Sequence, residues 1–126
     1  MKKLLFIALL ISVFLVACQS SDNVGPEIEG NLDKIINNKE IGLSSNPNDY
    51  IKENQNEYDN IISKGEKGLE YLIDELKSSK ENGLKEWIMA KASVDILKTN
   101  NPIKEWSTGK EWIEKYIETL SERSVK

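Results

Sequence analysis

The sequence predicts an all-α protein. Apolar residues recur every three or four positions in four successive segments, and capping or helix-breaking residues bound each segment. Alternating apolar and polar runs never exceed a few residues, so no segment of the sequence predicts a strand. The chain of 126 residues has room for one small helical domain, which we place at residues 46–126.

The first predicted helix begins at Asn46-Pro47 and ends near Gly65. Asn is a preferred N-cap residue. Pro is tolerated at the first helical position, because the N–H that it lacks would have no hydrogen-bond partner within the helix. Glycine at position 65 is a suitable C-terminal stop. The apolar residues between these ends fall largely on one face: Tyr50, Ile51, Tyr58, Ile61 and Ile62.

Three further helices are predicted. Residues 66–79 have the apolar spacing of a core-facing stripe, in Leu69, Leu72, Ile73 and Leu76. Residues 84–98 are apolar on more than one face, so we expect the third helix to be central. Thr108 and Glu111 form a capping-box pattern that opens the last helix. Its apolar stripe comprises Trp112, Ile113, Tyr116, Ile117 and Leu120.

The amino terminus has the pattern of an export signal. Two lysines follow Met1, and the stretch from Leu4 to Val16 is apolar except for Ser12. This stretch is shorter than the roughly 20 residues of a membrane-spanning helix. Leu15-Val16-Ala17-Cys18 resembles the lipobox of bacterial lipoproteins, which implies a signal peptide over 1–17 and a lipid on Cys18. The alternatives are an uncleaved anchor and cleavage without lipidation.

Residues 18–45 are predicted to be the lipid-bearing cysteine and a linker. Between Gln19 and Gly30 the only aliphatic residues are Val24 and Ile28, too few to drive folding. The spacing of the apolar residues after Gly30 leaves open a short helix over 31–40. With a lipid on Cys18, we expect the protein on the extracytoplasmic face of the cell membrane.

The charge of the chain excludes some partners. Residues 1–17 contain two lysines and no acidic residue, so their removal leaves 15 basic against 21 acidic residues, a net charge of −6. Such a chain has no electrostatic reason to bind nucleic acid, and it has no polybasic patch for anionic lipids. We therefore expect contact with the membrane through the lipid alone.

The helical region shows two resemblances to known proteins, each carried by two segments. Residues 65–76 and 84–97 resemble the two helices of a HEAT repeat, which implies a four-helix antiparallel HEAT-like domain. Residues 46–51 and 106–112 are similar to segments of small helical lipoproteins and secreted proteins of Gram-positive bacteria. We associate no activity with that pattern, so these resemblances imply a fold and a location but no site.

Few residues are available for catalysis. The chain has no histidine, its one cysteine lies in the lipobox, and no phosphate-binding, dinucleotide-binding or metalloprotease motif occurs. We therefore predict no catalytic residue, no cofactor and no metal site. A carboxylate-dependent hydrolase would need pairs such as Glu66/Glu70 or Asp74/Glu75. In a chain with 21 acidic residues, such pairs are expected on solvated helix faces.

The segment from Trp106 to Trp112 is the candidate ligand-binding region. An indole could stack on a ligand, and Lys110 adds positive charge beside a helix N-terminus. Trp106 and Lys110 are therefore the candidate residues for an anionic or carbohydrate ligand. Simple packing of Trp112 in the core is the favoured explanation, and Trp87 is interpreted as core.

Two functional hypotheses remain. The first is a non-catalytic lipoprotein whose helical domain binds another protein at the cell surface, such as an envelope protein or a toxin. The second is a small-ligand receptor that uses residues 106–112. A concave pocket lined by Trp106 and Lys110 would favour the second hypothesis.

Overall fold

The computed structural model describes residues 23–42 and 44–126, and within these residues the chain is all-α. The predicted all-α class is therefore confirmed, but the described residues form six α-helices where four were expected. Cys18 and the predicted signal peptide lie outside the described residues. The helices are α1 (Gly25–Ile36), α2 (Pro47–Glu53), α3 (Gln55–Ser63), α4 (Gly65–Ser78), α5 (Leu84–Leu97) and α6 (Gly109–Val125), with short 3-10 helices at Lys39–Ile41 and Lys98–Asn100.

Helix α5 is the centre of the fold, as its sequence predicts. It contacts each of the other five α-helices, and it pairs most extensively with α4. Ile88, Met89, Ala90 and Ala92 are all buried, so this helix is covered on several sides. The small alanines let neighbouring helices approach closely.

Helix α1 occupies residues that were predicted to be linker, so that prediction is wrong for 25–30. The short helix left open over 31–40 is present as far as Ile36, as the second half of α1. Ile28, Leu32 and Ile35 are fully buried, at the i, i+4, i+7 spacing of a core-facing stripe. Pro26 lies in the first turn, where proline is tolerated. The sequence predicts a linker here because Gly25, Pro26 and Gly30 divide the apolar stripe of α1 into short segments that are too polar to predict a folded helix.

Polar contacts also fix α1 to the rest of the domain. The Glu29 carboxylate accepts a hydrogen bond from the Tyr71 hydroxyl at 2.8 Å and one from Lys85 Nζ at 2.7 Å. Glu27 pairs with Lys64 at 2.7 Å. Because these partners belong to α4, α5 and the end of α3, helix α1 is an integral part of the domain.

The first predicted helix is divided at Asn54 into α2 and α3. The buried Asn54 side chain donates from Nδ2 to the Tyr50 carbonyl at 2.8 Å and accepts from Asn38 Nδ2 at 3.0 Å. An asparagine that hydrogen-bonds nearby backbone competes with the helical pattern. The predicted start is confirmed, because the Asn46 side chain accepts from the Asn48 N–H at 3.1 Å.

Helix α6 begins beside the first turn of α5, so residues 98–108 bring the chain back to the end where α5 started. Gly109 lies directly against the backbone of Glu86. The predicted cap is confirmed, since Thr108 Oγ1 accepts from the Glu111 N–H at 3.1 Å. In the described chain, α6 packs only on α4 and α5.

Candidate functional site

Trp112 belongs to the core. Its side chain is fully buried, its Nε1 donates to Asn101 Oδ1 at 3.3 Å, and its ring stacks on Tyr116 with centroids 4.9 Å apart. The favoured packing explanation for this tryptophan is therefore confirmed.

Trp106 and Lys110 are not combined into one site. Trp106 is half-buried and packs against Trp87, with ring centroids 5.4 Å apart and planes inclined by 40°. Lys110 Nζ donates to the carbonyl of Ser79, the C-cap residue of α4, at 3.1 Å. This lysine therefore satisfies a helix end, as basic side chains near helix C-termini commonly do.

A cavity does lie next to this region, between the start of α2, the start of α5 and the residues before α6. Its volume is about 330 Å³. We call it the aromatic groove. It is lined by Ser44, Ser45, Pro47, Tyr50, Asn82, Gly83, Leu84, Trp87, Ser107 and Thr108. Neither Trp106 nor Lys110 lines it, and Trp87, which sequence reasoning assigned to the core, does.

The aromatic groove carries unused hydrogen-bonding groups. Within residues 23–42 and 44–126, the Trp87 indole N–H, the Tyr50 hydroxyl and Asn82 Nδ2 have no hydrogen-bond partner. No buried polar side-chain atom of the described residues lacks a partner, so these groups are open to solvent. They are available to a ligand.

The aromatic groove is also uncharged. None of the ten described residues that line it is charged, although 30% of the chain is Asp, Glu, Lys or Arg. The neighbouring helix starts are already capped. Glu86 Oε1 accepts from the Gly83 N–H at 2.8 Å, and Glu111 Oε2 accepts from the Ser107 N–H at 2.8 Å. These carboxylates make the groove a poor site for an anion.

The four carboxylates that a hydrolase could use all lie on α4. Glu66, Glu70 and Asp74 are exposed on α4. Only Glu70 and Asp74, one from each pair, line a second cavity, beside the start of α1. Among the described residues, no group of three or more acidic, cysteine or histidine side chains is arranged to hold a metal ion.

Two tyrosines form structural polar contacts. The Tyr58 hydroxyl donates to Asp95 at 2.6 Å, and Asp95 also pairs with Lys91 at 2.8 Å. Burial, followed by the hydrogen bond to Asp95, raises the pKa of Tyr58. Burial and the contact with Glu29 likewise raise the pKa of Tyr71. Both hydroxyls therefore stay protonated at neutral pH and act as donors.

The large hydrophobic side chains that the described chain exposes all lie on the second half of α6. The exposed fraction is 38% for Ile117, 44% for Leu120 and 86% for Val125. Glu114, Glu118 and Glu122 form an exposed row beside them at i, i+4, i+8 spacing. We call Ile117, Leu120 and Val125, with this acidic row, the α6 surface.

Searches of protein-family models, of characterised proteins and of solved structures give no match to this chain. In the described residues, no helix combines the length and the apolar composition needed to cross a membrane.

Proposed function

We propose that this protein is a non-catalytic lipoprotein, held at the extracytoplasmic face of the cell membrane by a lipid on Cys18, whose helical domain binds another protein. The anchor rests on the lipobox resemblance of Leu15 to Cys18 and on the absence of any second cysteine in the chain. A disulfide within the chain therefore does not compete for the Cys18 thiol.

The observation that carries protein binding is the α6 surface. Its three hydrophobic residues are concentrated on one helix, and among the helices of the described chain only α4 and α5 pack on it. Helices commonly bind partners by placing residues spaced i, i+3, i+4 and i+7 into an apolar cleft. Ile117 and Leu120 have the i, i+3 spacing, and Val125 lies further along the same helix.

The acidic row defines the chemistry of the partner. Glu114, Glu118 and Glu122 place three carboxylates along one edge of the hydrophobic residues. Complementary charge steers association and disfavours wrong partners. The proposed partner is therefore an extracytoplasmic protein with an apolar cleft that is rimmed by Lys or Arg. In this proposal α4 and α5 form a single HEAT-like hairpin that supports α6.

Crosslinking in intact cells tests this function. Cells expressing the full chain are treated with a reversible crosslinker, and the protein is recovered by affinity purification and analysed by mass spectrometry. We expect a reproducible partner, and we expect the double substitution Ile117→Asp with Leu120→Asp to reduce its recovery by about tenfold, because two buried apolar anchors would become charged.

The matched control adds the same two charges elsewhere. Asn48→Asp with Asn56→Asp changes exposed positions on α2 and α3, and its recovery of the partner should equal that of the wild type. Circular dichroism checks that both double variants keep the helical content of the wild type. Failure to recover any reproducible partner, or equal recovery by both double variants, would contradict the proposal.

A further inference from the structure

We propose that the aromatic groove is a binding site for an uncharged carbohydrate, with Trp87 as its stacking face. This site shares no residue with the α6 surface, so it goes beyond the protein binding proposed above and is independent of it. The lack of charge in the groove favours an uncharged ligand. No described lining residue is charged, and the nearby Glu86 and Glu111 carboxylates are occupied with helix starts. A charged ligand would lose its hydration in this groove without meeting an opposite charge, and a neutral ligand avoids that cost.

The second argument is the rigidity and polarity of the aromatic wall. Trp87 is held against Trp106 at 5.4 Å between ring centroids, so its orientation is set before a ligand arrives. Its indole N–H remains without a partner among the described residues. A ring that presents both an apolar face and a donor matches a sugar, which has C–H faces and hydroxyl edges.

The third argument is the composition of the rim. The groove is lined by hydroxyl groups from Ser44, Ser45, Tyr50, Ser107 and Thr108, and by the Asn82 amide. Hydroxyls both donate and accept hydrogen bonds, as sugar hydroxyls do. Pro47 and Leu84 supply the apolar part of the lining. This balance favours a polyhydroxylated ligand over an apolar peptide side chain, which would leave the Tyr50 hydroxyl, the Trp87 N–H and Asn82 Nδ2 unpaired.

The size of the groove limits the ligand. Small-ligand sites commonly have volumes of about 300–1,000 Å³. At about 330 Å³, the aromatic groove is at the lower end of this range. We infer that it holds about one or two sugar rings, as a free saccharide or as the exposed end of a longer glycan.

A glycan array probed with the full-length protein in detergent is the first experiment. The array contains neutral glucans, mannans, galactans and chitooligosaccharides, together with sialylated and sulfated glycans and a set of uncharged peptides. We expect retention on neutral glycans only. An array on which no neutral glycan is retained, or on which only charged glycans or peptides are retained, overturns the proposal.

Titration of the best neutral glycan then assigns the site, with tryptophan fluorescence as the readout. Trp87→Phe keeps an aromatic ring but removes the N–H and part of the face, so we expect about tenfold weaker binding. Ser45→Asp adds a charge to the rim without removing a hydrogen bond within the described chain, and should also weaken binding about tenfold.

The matched control is Ser121→Asp on α6, outside the groove, which should bind as the wild type does. Urea unfolding of each variant separates loss of binding from loss of folding. If Ser45→Asp is folded and binds the glycan with unchanged affinity, the groove is not the site and the proposal is overturned.

Discussion

The backbone of Glu86 occupies the space that a side chain at Gly109 would need. A Cβ atom on Gly109 would lie 2.2 Å from the Glu86 carbonyl oxygen and 2.4 Å from its carbonyl carbon. This contact joins the first turns of α5 and α6, and it brings Trp112, one turn later, into the core. Glycine is therefore required where α6 begins.

We predict that Gly109→Ala destabilises the protein by about 1–3 kcal/mol, because the α6 backbone must move away from α5. Urea unfolding followed by circular dichroism measures the effect. Gly30→Ala is the matched control, since a Cβ at this position in α1 has no neighbour within 4 Å. The free energy of unfolding of this control should rise by about 0.5–1 kcal/mol, because a glycine in the middle of a helix is replaced by alanine. Equal stability of both variants would contradict the close approach.

The burial of α1 gives a second prediction. Leu32→Ala should destabilise the domain by about 2–5 kcal/mol, because the leucine side chain is fully buried. Lys34→Ala, at an exposed position of the same helix, should change stability by no more than about 0.5 kcal/mol. Thermal unfolding of both variants is the measurement. A Leu32→Ala protein as stable as the wild type would mean that residues 25–36 are a linker after all.

The third prediction concerns the stability of the protein at acidic pH. Lys64 lowers the pKa of Glu27, and Lys115 together with the Ser107 N–H lowers the pKa of Glu111, both from the usual 4.5. A carboxyl group whose pKa is lower when folded stabilises the protein above its unfolded pKa. This stabilisation is lost as the pH falls through the folded value.

The midpoint of thermal unfolding should therefore fall as the pH drops below about 4.5. It should fall less in the variant with Glu27→Gln and Glu111→Gln. Both carboxylates are exposed, so we expect the difference to be small and to shrink at high salt. Identical pH profiles for the two proteins at low salt would show that these ion pairs do not contribute.

The fourth prediction concerns the anchor. Cys18→Ser removes the only thiol of the chain, so the protein should lose its lipid and leave the membrane fraction, or remain as an unprocessed precursor. Labelled palmitate and cell fractionation are the measurements. Continued palmitate incorporation with the mature form still in the membrane would disprove the lipobox interpretation. Circular dichroism of the variant should be unchanged, because residue 18 precedes all the helices of the described residues.

The strongest helical periodicities were predictable from the sequence. Helices α4 and α5 begin and end close to the predicted residues, and α6 begins at its predicted cap, because the apolar stripes and the residues that bound them are clear there. The break at Asn54 was not predicted, because only one of its two hydrogen bonds, to the Tyr50 carbonyl, is local, and the other comes from Asn38, which is distant in sequence. The first half of helix α1 was not predicted, because its glycines and proline are typical of linkers and interrupt its apolar stripe in the sequence.

The candidate site was less predictable than the fold. The segment from Trp106 to Trp112 contributes only Ser107 and Thr108 to the groove, which is formed by α2, α5 and the residues before α6. Trp87 lies on the most apolar helix, and the sequence alone predicts that a tryptophan in such a helix belongs to the core. Only the packing of α2 shows that this indole borders a cavity.

The position of α1 restricts where the protein can work. With a lipid on Cys18, only residues 19–24 would separate the anchor from the first helix of the described residues, which begins at Gly25. Even fully extended, the chain from Cys18 to Gly25 spans no more than about 25 Å. The folded domain would therefore be confined to a thin layer above the bilayer, and a partner or glycan would have to enter that layer to reach it.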